Sequence, residues 1–471
     1  MSSIHEFATW EPLLRLIRAA NAERLAAPGG YVAGQITQGS WSVPIRRPSP
    51  PPGQAAQFDE DEYYAVQRLQ GALADADSHA ISFVAEISPG GTTVLHLLGP
   101  GPAVEPGIGA PYPGALILVE DSVAEPWRRL PQPVPGARPA LSADPVALER
   151  TLRERIPDAV GATEAEIAAA EARLGVALPD ELKALYRVTR ARWEDWGEDY
   201  EAADLVFEAV GCDLFPLDEL FIADASTRDC DWRFAANVAV VTRPDAAVQD
   251  LVGSPGWIVF GGDGGGDLYA VDLTPGPHGH TGQIITLSRS AHTDADLVAD
   301  SLTDLVLNRH SQESDDESSD DESGDESGGR REGESPVVAR VGSGGLDSVQ
   351  AAAHPELEVL HISVWGREPV SLAPVTGLPR LRTLTVYPGS LADPLEIAEL
   401  TGLEFLELAP EDWRVLLDAG AVPRSLLAAS IEIHGDRHPL PVVALANELL
   451  ALWGRPPITR TVLDGRLGPV T

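Results

Sequence analysis

The stretch Trp257-Ile258-Val259-Phe260-Gly261-Gly262-Asp263-Gly264-Gly265-Gly266-Asp267-Leu268-Tyr269-Ala270-Val271-Asp272 decides the fold. Four consecutive apolar residues enter a run built only of glycine and aspartate, and an alternating apolar segment leaves it. A short apolar run bounded by turn residues reads as a buried strand, and the alternation after the turn reads as its neighbour. Glycine reaches the backbone angles a tight reversal needs, so Gly261 to Asp267 is expected to be a structural turn. A phosphate-binding reading fails on two counts. A Gly-x-Gly-x-x-Gly frame needs glycine where Asp263 or Asp267 stands, and no Lys-Ser/Thr follows. The run also feeds a strand, so no helix N-terminus faces an anion.

Working outward, Gln283-Ile284-Ile285-Thr286-Leu287 reads as a further strand, and Leu297, Leu302 and Leu305 suggest a closing helix. Upstream, Thr163-x-x-Glu166 is a capping-box pattern that opens a helix with Ile167, Ala170 and Leu174 on one face. Gly175 ends it. Leu178-Pro179-Asp180 starts a second helix carrying Leu182, Leu185 and Tyr186. The "T-x-x-E-I…E…L-G…L-P…L…L-Y" opening from Thr163 to Tyr186, followed by the strand, Gly-Asp-Gly-Gly-Gly-Asp, strand, Asp centre, resembles the SUKH superfamily over about 145–310. That resemblance implies an α+β fold used for binding rather than catalysis. Bacterial members are similar to immunity proteins that neutralise toxins, often nucleases; fungal relatives are regulators linked to cell-wall synthesis. The chain departs from the family after Tyr186. A short Asn-Gly-Gly turn is common there, and here Arg187–Tyr200 carries Trp193, Glu194, Asp195, Trp196, Glu198 and Asp199. Those six residues are candidate partner contacts, with Trp193 and Trp196 three apart so that a helix would put them on one face. The plainer reading is a solvated acidic helix with two core tryptophans.

A third pattern begins near Leu357. The spacing Leu-x-x-Leu-x-Leu appears at Leu357, Leu360, Ile362, returns at Leu381, Leu384, Val386 and at Leu403, Leu406, Leu408, and is weaker at Leu426, Ala429, Ile431. The offsets of 24, 22 and 23 residues resemble leucine-rich repeats. Each unit would add one strand to a curved sheet with its leucines inward. The asparagine common after such strands is replaced by Trp365, Gly389, Glu411 and His434, so an irregular solenoid is expected. Three outward rows would follow: Val359, Thr383, Phe405, Ala428; His361, Thr385, Glu407, Ser430; and Ser363, Tyr387, Ala409, Glu432. Exposed Phe405 and Tyr387 among His361, Thr385 and Glu407 would suit protein binding; a stable cap is the plainer role. Val442–Leu452 reads as a capping helix.

The remaining segments set boundaries. Residues 1–125 read as a small α+β domain of no recognised family. A helix carries Leu13, Leu14 and Ile17, another spans Asp61–Ala74, and strands run at 31–36, 40–45, 80–87, 92–98 and 115–119. Residues 126–145 are proline-rich and read as a spacer. Ser311–Ser335 holds eleven acidic residues against Arg330 and Arg331. It has almost nothing to bury and is expected to be a disordered linker before a repeat domain at 336–471. The overall expectation is a multidomain α+β protein, with the SUKH-type domain at 146–310.

A net charge of −38 over 471 residues disfavours nucleic acid and anionic membranes and favours basic partners. Cys212 and Cys230 make neither a disulfide framework nor a zinc pattern. No apolar run reaches membrane-spanning length, and Met1–Pro12 lacks a signal-like pattern, so a cytoplasmic location is expected. His278 and His280 lack a third placed ligand, Asp263, Asp267 and Asp272 lack calcium-loop spacing, and no Ser or Cys has a placed base. No metal, cofactor or catalytic residue is therefore expected. The sequence points to a protein-binding protein, with a basic toxin domain as the expected partner. A regulatory scaffold joining endogenous proteins is the alternative, and an enzyme with its site in residues 1–125 the remote one.

Overall fold

A computed structural model describes residues 3–45, 60–105, 116–196, 200–288, 293, 295–308, 336–364, 366–434 and 437–468. The acidic stretch 311–335 and Trp365 lie outside the described residues. The chain forms two compact units. The first comprises residues 1–122, 231–237 and 333–471; the second comprises 123–230 and 238–332. It is an α+β protein of more than one domain.

In the first unit an antiparallel sheet of Trp41–Ser42, Val32–Thr37, Ala80–Ile87, Thr92–Gly99 and Thr459–Arg466 lies in that order. The Ser88–Gly91 turn joins Ala80–Ile87 to Thr92–Gly99. Period-two alternation gives this sheet two buried faces. Phe83, Ala85, Leu95 and Leu97 pack on helices Phe7–Ala20 and Glu60–Asp75, joining Trp10, Leu13, Leu14, Ile17, Val66 and Leu69. Val84 and Leu98, on the other face, join a larger core of Leu360, Leu384, Leu406, Trp413, Leu449 and Leu450.

That larger core lies under a second sheet, in which five parallel strands run Val338–Gly342, Val359–Ser363, Thr383–Val386, Phe405–Leu408 and Ala428–Ile431. The sequence offsets become strand register: Leu360 stands opposite Leu384, Leu384 opposite Leu406, and Leu406 opposite Ala429. Strand Leu116–Val119 pairs antiparallel with Ala428–Ile431 and closes that edge, with Val104–Glu105 beyond it. Residues 1–125 and 336–471, separate domains in the sequence reading, therefore share two sheets and one core. Local patterning cannot reveal a pairing between segments more than 300 residues apart.

The second unit is an antiparallel sheet in the order Ala295–Ala299, Gln283–Leu287, Leu268–Asp272, Trp257–Gly262, Asp213–Leu214, with Phe221–Ile222 also on Trp257–Gly262. Strand Trp257–Gly262 is buried throughout. Its Ile258 and Phe260 meet the helical layer of Leu148, Leu152, Ile167, Leu182, Leu185 and Tyr186. Its Trp257 and Val259 meet Val248, Leu251, Ile285 and Leu287 on the opposite face. Burial on both faces is why this strand reads as a continuous apolar run. The capping box forms as expected, with Thr163 accepting from Glu166 N and Glu166 accepting from Thr163 N. Leu297, placed in a helix by the sequence, instead lies in strand Ala295–Ala299 and is exposed; the helical stretch begins at 302.

The proline-rich 126–145 segment is not a free spacer. It starts within helix Glu125–Arg128 and belongs to the second unit. Gln249 is buried and accepts from Gln132 N at 2.8 Å while its Nε2 donates back to Gln132 O at 2.8 Å. Trp127 Nε1 donates to Arg228 O at 3.2 Å. A main-chain bond adds to these, with Thr281 N donating to Arg138 O at 3.0 Å.

Asp272, at the end of its strand, is buried and accepts from Thr274 N at 2.7 Å and from Gln283 Nε2 at 2.9 Å. Burial outweighs these bonds and pushes its pKa from 3.8 to about 6. The folded state thus holds this proton more tightly than the unfolded chain. The stability linked to Asp272 is present below the ordinary carboxylate range and is lost as pH rises to about 6, by up to about 3 kcal/mol. Chemical denaturation at stepped pH should show that falling component between pH 4 and 6 in the native protein. The component should be missing in Asp272→Asn; identical pH slopes for the two proteins would contradict the assignment.

Candidate functional site

Arg187–Tyr200 does not form one continuous helix. A single 3-10 turn covers Trp193–Trp196, and a helix runs Tyr200–Val210. Glu198, Asp199 and the Trp196 side chain lie outside the described residues. Arg190 organises the turn: its Nε and Nη2 donate to both carboxylate oxygens of Asp195 at 2.6 and 2.7 Å. Glu166, fixed by the capping box, approaches Arg190 at 3.4 Å and Arg192 at 3.7 Å. The Arg190 guanidinium holds the Asp195 carboxyl below its usual range. Asp195 is thus ion-paired within the fold.

Trp193 is 37% exposed and packs at 4.9 Å against Tyr200, which is 75% exposed. Beside them opens a groove of about 710 Å³, whose lining includes Trp193, Glu194, Asp213, Phe215, Asp218 and Glu219. Glu194, Asp213, Asp218 and Glu219 are exposed. Strand Asp213–Leu214 brings Asp213 here by pairing with Gly262. A side chain at Gly261 would meet Asp213 O at 2.7 Å and Cys212 Sγ at 3.0 Å, so that approach requires glycine. Asp213, Asp218 and Glu219 escaped the sequence reading because no motif joins them to the Trp193 turn; only the strand pairing does.

The glycine run is a hairpin turn that satisfies itself. Asp263 Oδ1 accepts from Gly265 N, Gly266 N and Asp267 N at 2.7, 2.8 and 3.0 Å. These amides hold its carboxyl below the usual range. Gly264 and Gly266 have φ of +78° and +117°. The amides that would cradle a phosphate already face a carboxylate. Asp263→Ala is expected to lower the melting temperature of the second unit, and Asp263→Asn to lower it less, in a thermal scan; equal losses would show that the acceptor does not matter.

On the parallel sheet the outward rows differ from their expected exposure. Phe405 is not an exposed anchor: it is 1% exposed and stacks with Trp232 at a centroid distance of 6.3 Å and 10° between planes. Segment Asp231–Asn237 covers it, and with it the row Val359, Thr383, Ala428 is buried. His361, Thr385 and Glu407 are half-buried. Burial, aided by Arg340, pulls His361 down to about 4 and keeps it neutral. Burial and Glu432 push the Glu407 carboxyl up, while Ser430 Oγ donates to it at 2.9 Å. Tyr387 packs on His434 at 4.6 Å. Among the described residues no group of three His, Cys, Asp or Glu is placed to hold a metal. No helix there is long and apolar enough to cross a membrane.

Residues 161–308 match the model of the SMI1/KNR4 family (SUKH-1), so the chain carries a SUKH-1 domain at that position. A 70-residue stretch is 43% identical to the "Glucan synthesis regulatory protein" of Neurospora crassa, covering 15% of this chain and 13% of that protein.

Proposed function

We propose that this chain is a non-catalytic protein-binding protein whose SUKH-1 domain engages a basic protein partner through the groove beside Trp193. The uneven charge of that groove carries the reading. Glu194, Asp213, Asp218 and Glu219 are exposed there, while of the two arginines in the lining Arg190 is committed to Asp195 and Arg192 stands 3.7 Å from Glu166, so carboxylates outnumber the cations. Exposed carboxylates around a half-buried tryptophan offer steering for a cationic surface and an aromatic anchor once it docks. A basic toxin domain neutralised by direct binding fits this charge, which would make the chain an immunity-type protein. The name of the Neurospora relative favours a second reading, in which the partner is endogenous. The SUKH-1 domain and the in-register parallel strands, read as an irregular leucine-rich-repeat surface, would then act together as a regulatory scaffold.

Affinity capture with the full chain and with Trp193→Ala/Asp218→Lys/Glu219→Lys tests the site. The expected result is a basic partner held by the native chain, weakened at least tenfold in the variant and released by salt. A partner retained equally by both forms would move the site elsewhere. A partner lost on replacing surface residues of the parallel sheet would favour the scaffold.

A further inference from the structure

Segment Asp231–Asn237 packs within the first unit although the chain on either side of it, up to Cys230 and from Val238, belongs to the second. Its contacts have the form of a bound peptide. Trp232, Ala235 and Ala236, at i, i+3 and i+4, are buried, while Phe234 points out and is exposed. Trp232 lies over Phe405, and its Nε1 donates to Ser122 O at 3.1 Å. The main chain is gripped at both ends. Trp232 N donates to Glu105 Oε1 at 2.9 Å, and Ala236 O accepts from Thr383 Oγ1 at 2.6 Å and Arg382 Nη1 at 3.2 Å. Arg233 approaches Glu432 at 3.7 Å.

We propose that the outward face of the parallel sheet is a peptide-recognition site that the chain fills with its own residues 231–237. The site selects a tryptophan followed by a basic residue. Phe405 supplies the aromatic floor, Glu105 and the Arg382–Thr383 pair read main-chain groups, and Glu432 reads the cation. Main-chain bonds carry affinity and one aromatic anchor carries selectivity, as in other short-peptide grooves. An outside ligand with the same pattern gains access only by displacing the internal one. This conclusion is independent of the groove beside Trp193.

The test uses a fluorescently labelled peptide of residues 228–240 and the full-length protein. Native protein, its site filled, should bind the peptide at least tenfold more weakly than Trp232→Ala/Arg233→Ala, whose own segment is disabled. Tryptophan-to-alanine substitution in the peptide, or Phe405→Ala added to the protein, should remove that binding. A folded variant that ignores the peptide, or binds it equally without its tryptophan, overturns the proposal. Should the variant not fold, hydrogen exchange on the native protein decides. Amides of 233–237 should exchange at least tenfold faster than those of Phe405–Leu408, as a reversibly docked segment must. Equal rates would make the segment permanent core and overturn the proposal.

Discussion

Replacing Arg382 by methionine is expected to destabilise the first unit by about 3 kcal/mol. Arg382 and Glu358 stand at equivalent positions just before successive parallel strands, and their side chains are 7% and 2% exposed. Arg382 Nε reaches Glu358 Oε2 at 3.3 Å, and its Nη1 also donates to Ala236 O. Losing the guanidinium leaves a buried carboxylate supported by Arg380 at 2.8 Å, a side chain 42% exposed to solvent. An unbalanced buried charge costs more than the pair itself contributes, because desolvation offsets most of the pair's attraction. The double variant Arg382→Met/Glu358→Leu should therefore recover much of the loss. Urea denaturation of the two single variants and the double would measure the coupling. A single-variant loss below about 1 kcal/mol would show that Arg380 alone balances the carboxylate.

The second large effect is expected in the second unit. Tyr186 is fully buried, and its hydroxyl donates to Phe215 O at 2.6 Å. Burial pushes its pKa well above the usual phenol, so it remains a donor across the accessible pH range. Tyr186→Ala should cost about 3–5 kcal/mol, the range for emptying an aromatic site in a packed core. Tyr186→Phe isolates the hydrogen bond and should cost about 1–2 kcal/mol, because the Phe215 carbonyl loses its buried donor. Phe215 also lines the groove beside Trp193. The phenylalanine variant should thus loosen that wall without unfolding the protein. Calorimetry of both variants checks the ranking, and similar losses would mean that packing contributes little beyond the bond.

Much of this architecture was legible because it rests on local chemistry. Thr163 and Glu166 announce a helix start three residues apart, and the structure satisfies both their donors. The leucine offsets read from 357 to 431 fix which residues stand opposite one another in the parallel strands. What stayed hidden rests on distant chemistry. Val338–Gly342 reads Val-Ala-Arg-Val-Gly and lacks the leucine spacing of its neighbours, yet it heads the parallel sheet. Thr459–Arg466 is largely exposed and carries little apolar signal; pairing with Thr92–Gly99 alone makes it a strand. Phe405 looked like an anchor because nothing in its own repeat covers it. The covering residue, Trp232, lies 173 positions away in an unpatterned Asp-Trp-Arg-Phe segment. Beside Trp193 the sequence reading named the tryptophan but not Asp213, Asp218 and Glu219, which line the same groove, nor the Arg190–Asp195 pairing.

The exchange of strands in the first unit also governs the order in which the protein can be made. Thr92–Gly99 leaves the ribosome early, but the strand that covers its edge, Thr459–Arg466, arrives some 360 residues later. Leu116–Val119 likewise waits for Ala428–Ile431. At about 5–20 residues per second that delay is on the order of half a minute, during which open strand edges are exposed to stray pairing. The sheet of the second unit lies wholly within residues 213–299 and meets no such wait. The second unit can therefore be completed before the first. Once residue 308 has cleared the ribosome, the chain can hold a finished SUKH-1 domain while the strand edges of the first unit are still unpaired.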